Sequence, residues 1–466
     1  MLSRGDVVEL EVESAAYKGV SVARRNGLVI LVRNGVPGDR VRARVVKKKR
    51  QHAEAVVEQV LELSPCRVSP ACRYFGTCGG CSCQNVDYRS QLSFKRAQVK
   101  ETLQHLGGIT GVEVKSTVPS PSVFYYRNKM EFTFGPNRWL MPEEIQSGVP
   151  LRKGFALGLH IPKRHDKILD LETCFLQSPV SVQVVNRVRR LAMDEGWQVY
   201  SSYSGEGYLR NLVIRIGSNT GDFMVNLVTR RRRPERMKLL RAELLREFPQ
   251  ITTIVNSINE TLSPVASGQE EVVYHGDGVI RERIGDLEFR IAPTTFFQPN
   301  TAQARNLFDV VRRHAGLTGH EIVYDLYCGI GTIALFLARS CQKVVGIDNH
   351  AAAIAAARSN ALANGIRNCT FVLMDAAKAL NRNLVLRQGR PEVLVVDPPR
   401  AGMHKETCRS ILRLAPERVV YVSCNPATQA RDLKILAQRY RVESVRPVDM
   451  FPQTYHIENV ACLVRT

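Results

Sequence analysis

A cysteine followed by Asn-Pro ends the run Tyr421-Val422-Ser423-Cys424-Asn425-Pro426, about thirty residues after Val396-Asp397-Pro398-Pro399-Arg400. An apolar strand that stops at such a turn exposes a side chain at the carboxyl edge of a sheet, where open α/β enzymes do chemistry. Cys424 is therefore a candidate nucleophile. Taken alone it reads more simply as a buried core thiol, the commonest state of a free cysteine. The rest of the chain reverses that balance.

The strand Ile322-Val323-Tyr324-Asp325-Leu326 runs into Tyr327-Cys328-Gly329-Ile330-Gly331-Thr332, and a helix starts at Ile333. The glycines let a ligand come close to the backbone, and the helix N-terminus turns free N–H groups toward it. A lone Gly-x-Gly is weak, but a second strand, Val344-Val345-Gly346-Ile347-Asp348, ends in a carboxylate placed to accept both hydroxyls of a ribose. The third glycine of the dinucleotide fingerprint is missing. This points away from NAD and toward S-adenosylmethionine, which has a ribose and an adenine but no pyrophosphate. A third strand, Phe371-Val372-Leu373-Met374-Asp375, ends in an acid suited to the adenine amino group.

From about Ile291 onward the chain resembles the RNA 5-methyluridine methyltransferase family. The resemblance rests on five motifs in the family's order: Phe296-Phe297-Gln298-Pro299-Asn300, the loop from Asp325 to Thr332, Asp397-Pro398-Pro399-Arg400, Ser423-Cys424-Asn425-Pro426 with Thr428 to Asp432, and His456-Ile457-Glu458-Asn459-Val460. It implies methyl transfer from S-adenosylmethionine to C5 of a uridine in RNA. It also implies cofactor contacts from Gln298, Tyr327, Gly329, Asp348, Asp375 and Asp397, with Cys424 as nucleophile and Glu458 as base.

The chemistry can be reasoned independently. C5 of uracil is a poor nucleophile, and adding a thiolate at C6 turns C5 into an enolate carbon able to attack a sulfonium methyl. The C5 proton must then leave so that the thiolate can be eliminated, which calls for a positioned base. Glu458 matches that role, and His456 is a candidate orienting group. A free thiol has a pKa near 8.5, so something beside Cys424 must lower it or take its proton. The sequence does not say what. Amino-group methyltransferases place Asn/Asp-Pro-Pro-Tyr where this chain has Asp397-Pro398-Pro399-Arg400, and Arg400 argues against that alternative.

A second group of reactive residues lies near the N-terminus, in Cys72-Arg73-Tyr74-Phe75-Gly76-Thr77-Cys78-Gly79-Gly80-Cys81. Three cysteines around a Gly-Gly turn can converge on one metal centre. Zinc usually takes paired Cys-x-x-Cys knuckles, whereas three clustered thiolates and one remote thiolate suit a [4Fe–4S] cluster. The resemblance implies Cys174 as the remote ligand beside Cys72, Cys78 and Cys81. Cys66 and Cys83 fall outside the pattern and read as spare thiols. The Cys-x-x-x-Cys-x-x-Cys spacing of radical enzymes is absent, so the expected cluster has no redox role in methyl transfer. Many thiols without a secretory segment indicate a reducing, cytoplasmic setting rather than a disulfide framework.

At 466 residues and 44% hydrophobic content the chain is a globular protein of several domains, with no apolar run long enough to span a bilayer. A formal charge of +21 calls for a polyanionic partner, and Lys47-Lys48-Lys49-Arg50 and Arg230-Arg231-Arg232-Arg233 are its densest runs. Residues 1–60 alternate apolar and polar positions between Gly and Pro-Gly turns and read as a small closed β-barrel. This part resembles TRAM, an OB-like RNA-binding module. Residues 61–90 form the cysteine segment, 91–290 a central α+β RNA-binding domain, and 291–466 a Rossmann-like class I methyltransferase domain. Tyr126-Arg127-Asn128-Lys129 resembles a family motif near the RNA-binding surface.

A paired, stacked uridine hides C6, so the target must lie in a loop or be flipped. Barrel, cluster and catalytic domain together resemble the bacterial 23S ribosomal RNA (uracil-5-)-methyltransferases, although archaeal tRNA enzymes keep the cluster too. The expected substrate is 23S rRNA, with tRNA as the alternative, and no obligate protein partner is implied. An amino-group methyltransferase or a non-catalytic RNA-binding protein are the more distant readings.

Overall fold

Alternating apolar residues close the first strands into a barrel. The computed structural model describes residues 2–466 apart from 17, 18, 202 and 264, and describes the backbone alone at 165. Strands β1 (Val7–Ala16), β2 (Val20–Arg25), β3 (Leu28–Arg33), β4 (Arg40–Lys48) and β5 (His52–Glu62) pair in the order β1-β2-β3-β5-β4, and β4 returns to β1. Val8, Leu10, Ile30, Val41 and Val45 fill the interior. The intervening arginines of β4 point outward to carboxylates: Arg40 lies 2.5 Å from Glu62, Arg42 3.6 Å from Glu9 and Arg44 2.6 Å from Glu58. A buried Asp39 clamps the next segment to the barrel through Arg67, at 2.6 Å.

After the cysteine segment comes α1 (Tyr88–His105), and then the central sheet. Its elements are β6 (Lys129–Gly135), α2 (Pro142–Gln146), β7 (Ala156–Ile161), β8 (Arg164–Asp170), α3 (Pro179–Asp194), β9 (Leu209–Ile216), β10 (Phe223–Thr229), α4 (Pro234–Glu247), β11 (Thr253–Ile258) and β12 (Glu270–His275). The strands lie in the order β12-β11-β10-β9-β6-β7-β8. Val184, Val188 and Leu191 of α3 and Met237, Leu240 and Leu244 of α4 share one core with Phe132, Leu212, Ile214 and Val225 of the sheet.

The catalytic fold starts with a hairpin, β13 (Ile280–Ile284) and β14 (Leu287–Ile291). It continues through α5 (Thr301–Ala315), β15 (Ile322–Leu326), α6 (Thr332–Leu337), β16 (Lys343–Asp348), α7 (Ala351–Ala363), β17 (Cys369–Leu373), α8 (Ala376–Ala379), α9 (Arg382–Gln388), β18 (Val393–Val396), α10 (Lys405–Leu414), β19 (Arg418–Ser423), α11 (Pro426–Leu436), β20 (Tyr440–Val448) and β21 (Glu458–Arg465). The sheet order is β17-β16-β15-β18-β19-β21-β20, with every strand running the same way except β21, which is antiparallel to both its neighbours. Strand order reverses between β15 and β18, which opens a crevice at the carboxyl ends. Among the described residues no helix is long and apolar enough to cross a membrane.

Two boundaries differ from the expected 91–290 unit. Helix α1 packs on the catalytic sheet, where Val99 and Leu103 join Tyr421, Leu433 and Val445, and the segment after it bridges to β20 through Val114 and Val118. Its buried positions, Gln91, Lys95, Val99 and Leu103, recur every four residues. That period makes one buried helix face but does not say which sheet the face covers. The hairpin β13–β14 likewise shares the core of α5 and α7, with Ile280, Leu287 and Phe289 packed near Phe308 and Ile354, so a cut at 290/291 falls inside an element of the catalytic domain.

Candidate active site and cysteine pocket

At the tip of β15 the backbone turns sharply, with Tyr327, Gly329 and Gly331 all at positive φ. The two glycines serve different ends. A Cβ on Gly329 would meet open space, whereas one on Gly331 would lie 2.9 Å from the Phe371 ring. Gly329 thus leaves room for a ligand, and Gly331 allows β17 to pack beneath the loop. Asp348 accepts the Gly329 N–H at 3.0 Å and the His350 N–H at 2.9 Å, which ties the loop to the tip of β16. Asp375 is exposed and caps α8 through the Ala377 N–H at 2.9 Å.

Asp325, in the middle of this β15 tip, is fully buried and neither carboxyl oxygen has a hydrogen-bond partner. Burial, with Asp397 and Asp348 nearby, pushes its pKa well above the usual carboxylate range. A buried acid with no side-chain donor among the described residues suits the cationic amino-acid portion of S-adenosylmethionine. Sequence reading treated Asp325 only as part of a loop motif. The signal was an acid inside an otherwise apolar strand.

Cys424 follows β19, half-buried, just before the helix cap Asn425. The Asn425 amide and the Thr428 hydroxyl donate to the Arg400 carbonyl at 3.1 and 3.3 Å, which fastens the Pro398-Pro399 turn to the cysteine turn. Burial together with the Glu458 and Asp397 carboxyls pushes the Cys424 thiol up to about 11, while the Arg400 guanidinium beside it pulls the other way. Glu458 opens β21 and is 4% exposed. Its pKa is raised well above the usual range by burial and by Asp397, against Arg400. Burial also lifts Asp397 to about 7. Arg400 is the group beside Cys424 that sequence reading left unnamed.

The 449–456 loop delivers Glu458 and His456 to this edge. Lys95 reaches Asp449 at 2.5 Å, and Gln91 donates to the Gln453 side chain at 3.0 Å while accepting its N–H at 3.1 Å. The Tyr126 hydroxyl donates to the Pro452 carbonyl at 2.9 Å. His456 lies between the Tyr455 and Phe451 rings, at 4.2 and 5.6 Å. Burial and then Arg400 lower its pKa to about 4, so the ring is neutral at ordinary pH. Gln298 is buried, and its carbonyl accepts the Asn128 amide at 2.8 Å, which joins the central sheet to the catalytic domain.

Cys72, Cys78, Cys81 and Cys174 line one pocket with Tyr74, Leu159 and Leu176. Burial pushes Cys78 and Cys81 up to about 12 and raises Cys72 and Cys174 as well. Among the described residues no three His, Cys, Asp or Glu side chains come close enough to hold a single metal ion, so the expected point of convergence is not formed at that spacing. Cys66 accepts the Ser90 hydroxyl at 3.0 Å and Cys83 lies 3.5 Å from Ser82, both outside the pocket.

A family model described as tRNA (uracil-5-)-methyltransferase matches residues 277–466, and a TRAM domain model matches residues 2–57. A chain from Chlorobaculum tepidum, named as an uncharacterized RNA methyltransferase, is 42% identical over 99% of this chain and 97% of its own. The chain belongs to the RNA uracil-5 methyltransferase family. An uncharacterized RNA methyltransferase of Bacteroides thetaiotaomicron is 41% identical over 96% of this chain and 99% of its own. The crystal structure of the Pyrococcus abyssi tRNA (uracil-54, C5)-methyltransferase with S-adenosyl-L-homocysteine is 31% identical, with a TM-score of 0.74, covering 98% of this chain and 99% of that one. This RNA uracil-5 methyltransferase is S-adenosylmethionine-dependent, and its N-terminal barrel is a TRAM domain.

Proposed function

We propose that the enzyme methylates C5 of a uridine in 23S ribosomal RNA through a covalent bond between Cys424 and C6. The observation that carries the mechanism is the meeting of a thiol, a guanidinium and a buried carboxyl at one sheet edge: Cys424, Arg400 and Glu458. Arg400 holds negative charge on the sulfur, and the thiolate adds to C6 of a flipped uracil. S-adenosylmethionine supplies the electrophilic methyl group. Glu458, a stronger base for being buried, takes the C5 proton from the methylated adduct with Arg400 as countercharge, and Cys424 then leaves as thiolate. His456, neutral and wedged between rings, keeps the 449–456 loop in place for that step.

Gln298, Tyr327, Gly329, Asp348, Asp375 and Asp397 are assigned to cofactor binding, and Asp325 is added to them. Gly329 supports this with open space in front of its backbone, and Asp325 with its unpartnered carboxyl. For Cys72, Cys78, Cys81 and Cys174 we infer a [4Fe–4S] cluster with a structural role. Four thiols lining one shared pocket, three of them close in sequence and one remote, favour such a centre, and iron would offset the cost of burying thiolates. The central domain is assigned to RNA binding with the TRAM barrel, and twelve free cysteines fit a cytoplasmic setting.

Ribosomal RNA is favoured by the combination of barrel, cysteine pocket and catalytic domain. A second reading, the same chemistry on a tRNA uridine, draws on the likeness to the Pyrococcus abyssi tRNA enzyme over almost the full chain. Incubation with 5-fluorouridine-substituted 23S rRNA and S-adenosylmethionine tests both. Fluorine cannot leave as a cation, so a denaturation-resistant adduct mapped to Cys424 is expected. An adduct with tRNA alone would change the substrate and keep the mechanism, and none with either RNA would overturn the covalent route.

A further inference from the structure

Two basic runs stand out in the sequence, and one of them lies where no step of methyl transfer uses it. We propose that the far end of the central sheet, around Arg231, Arg232 and Arg233, is a second docking surface for the substrate's phosphate backbone. The enzyme would then take a folded RNA that extends well beyond the flipped uridine. The inference rests on RNA as the substrate and deepens the reading of the central domain.

Placement comes first. The near end of β9 is fixed by the Ile216 N–H, which donates to the Asn128 carbonyl at 2.8 Å, and Asn128 in turn holds the Gln298 carbonyl. Its other end, Leu209, pairs with Thr229, and just beyond it the Arg230 N–H donates to the Tyr208 carbonyl at 2.8 Å. Strands advance about 3.3 Å per residue, so the arginines lie roughly 23 Å along the sheet from the Gln298 junction. That is too far for the target nucleotide and its immediate neighbours to reach both.

Charge comes second. The outward arginines of the barrel strand β4 are matched by Glu9, Glu58 and Glu62. At the far end of the central sheet Arg231, Arg232 and Arg233 are all exposed, and among the described residues only Arg232 of the three approaches a carboxylate, Glu270, at 3.7 Å. Exposed guanidiniums crowded this closely, with one carboxylate among three, repel one another and favour a polyanion. Arg233 occupies the N-cap of α4 without a side-chain acceptor, so unbonded helix N–H groups face outward beside it.

The surface is also built to be rigid. The Arg236 guanidinium stacks over Tyr208 at 4.9 Å and Trp197 at 5.7 Å, and Arg230 lies 6.0 Å from the Tyr200 ring. Arg210, buried, pins the adjoining loop by donating to the carbonyls of Asn259, Thr261 and Ser263. Stacked guanidiniums keep their N–H edges free for phosphate oxygens. A fully exposed Tyr203 adds a ring on which a base can stack.

The test uses the full-length protein, the R231E/R233E variant and two RNA probes, 23S rRNA and a three-nucleotide oligouridylate too short to span the distance. For the variant, affinity for 23S rRNA should fall about tenfold, and the log–log salt slope should shrink by about 1.5, reflecting two lost phosphate contacts. Affinity for the trinucleotide and for S-adenosylhomocysteine should not change, and R231Q/R233Q should fall between. A selective loss on tRNA instead of 23S rRNA would support the surface with a different RNA. Unchanged affinity for both folded RNAs, or equal losses on folded RNA and trinucleotide, would overturn it. Methylation by the wild type is read in parallel: its absence would count against the proposed function, while the binding comparison would still decide the docking surface.

Discussion

Cys424 and the pocket cysteines are all held in their protonated forms by burial, but their neighbours differ. Around Cys424 the positive charge of the Arg400 guanidinium opposes the burial. Around Cys78 the charged neighbours are three more thiols, Cys174, Cys81 and Cys72, each of which raises its pKa further. Arg127 acts on Cys81 and Cys174 by charge alone. A thiol with one fixed cation can cycle between neutral and ionised forms, which a nucleophile that must also leave requires. Four thiols that raise one another, opposed by the charges of Arg73 and Arg127, ionise together when external positive charge arrives, which is the condition for ligating metal.

The strongest way to break this contrast is to remove the proposed nucleophile. Cys424→Ala should lower methyl incorporation by roughly 10⁴-fold or more, while RNA affinity by filter binding stays within about threefold of wild type. Activity near that of the wild type would leave Cys424 no different from the pocket thiols. Glu458→Gln should trap the next stage, with methylated adduct persisting on denaturing gels, and normal release would remove Glu458 from the base role.

Arg400→Gln sharpens the comparison by making Cys424 resemble Cys78. With the thiol near 11, adduct formation on 5-fluorouridine RNA should rise about tenfold per pH unit between pH 7 and 9, because ionised thiol grows with pH below the pKa. Losing the guanidinium moves the thiol higher still. The rate at pH 8 should drop roughly 30- to 100-fold, and any plateau should shift to higher pH. Superimposable profiles would show that Arg400 does not act on the sulfur.

From the other side, Cys78→Ser should abolish the brown absorbance and bound iron and lower the melting temperature by several degrees. Unchanged iron would send the search to Cys66 or Cys83. The smallest effect concerns buried groups of the opposite sign. Burial lowers His314 and His456 to about 4, so the unfolded chain binds more protons between about pH 4 and 6.5 and stability falls as pH drops through that window. Each histidine should cost roughly 1–3 kcal/mol at the acid end, and urea titrations of His314→Gln at pH 7 and pH 5 should show a smaller difference than wild type.

Much of the catalytic edge was legible because it is written locally. Strand, turn and helix follow one another within a few residues at Gly329, Asp348, Asp397 and Cys424, and each arrives at the carboxyl edge once the sheet forms. Asp325 was missed because an acid in an apolar strand looks like a loop motif until both its oxygens are found without partners. The boundary at α1 was missed because its partners, Asp449 and Gln453, lie more than three hundred residues away in sequence.

What the sequence determined by itself is the class of chemistry: a thiol, an acid and a cofactor loop in the spacing of a methyltransferase, and a barrel whose alternation allows one inward face. What only the tertiary structure decided is which charges meet. Arg400 is set against Cys424 by hydrogen bonds between two separate turns, the arginines of β4 are matched across the barrel by carboxylates, and of those after β10 Arg232 alone meets one among the described residues, Glu270. Local pattern fixes which face of an element is buried. Electrostatic partners come from elements far apart in the chain, and Coulomb energy depends on distance in space rather than along the sequence.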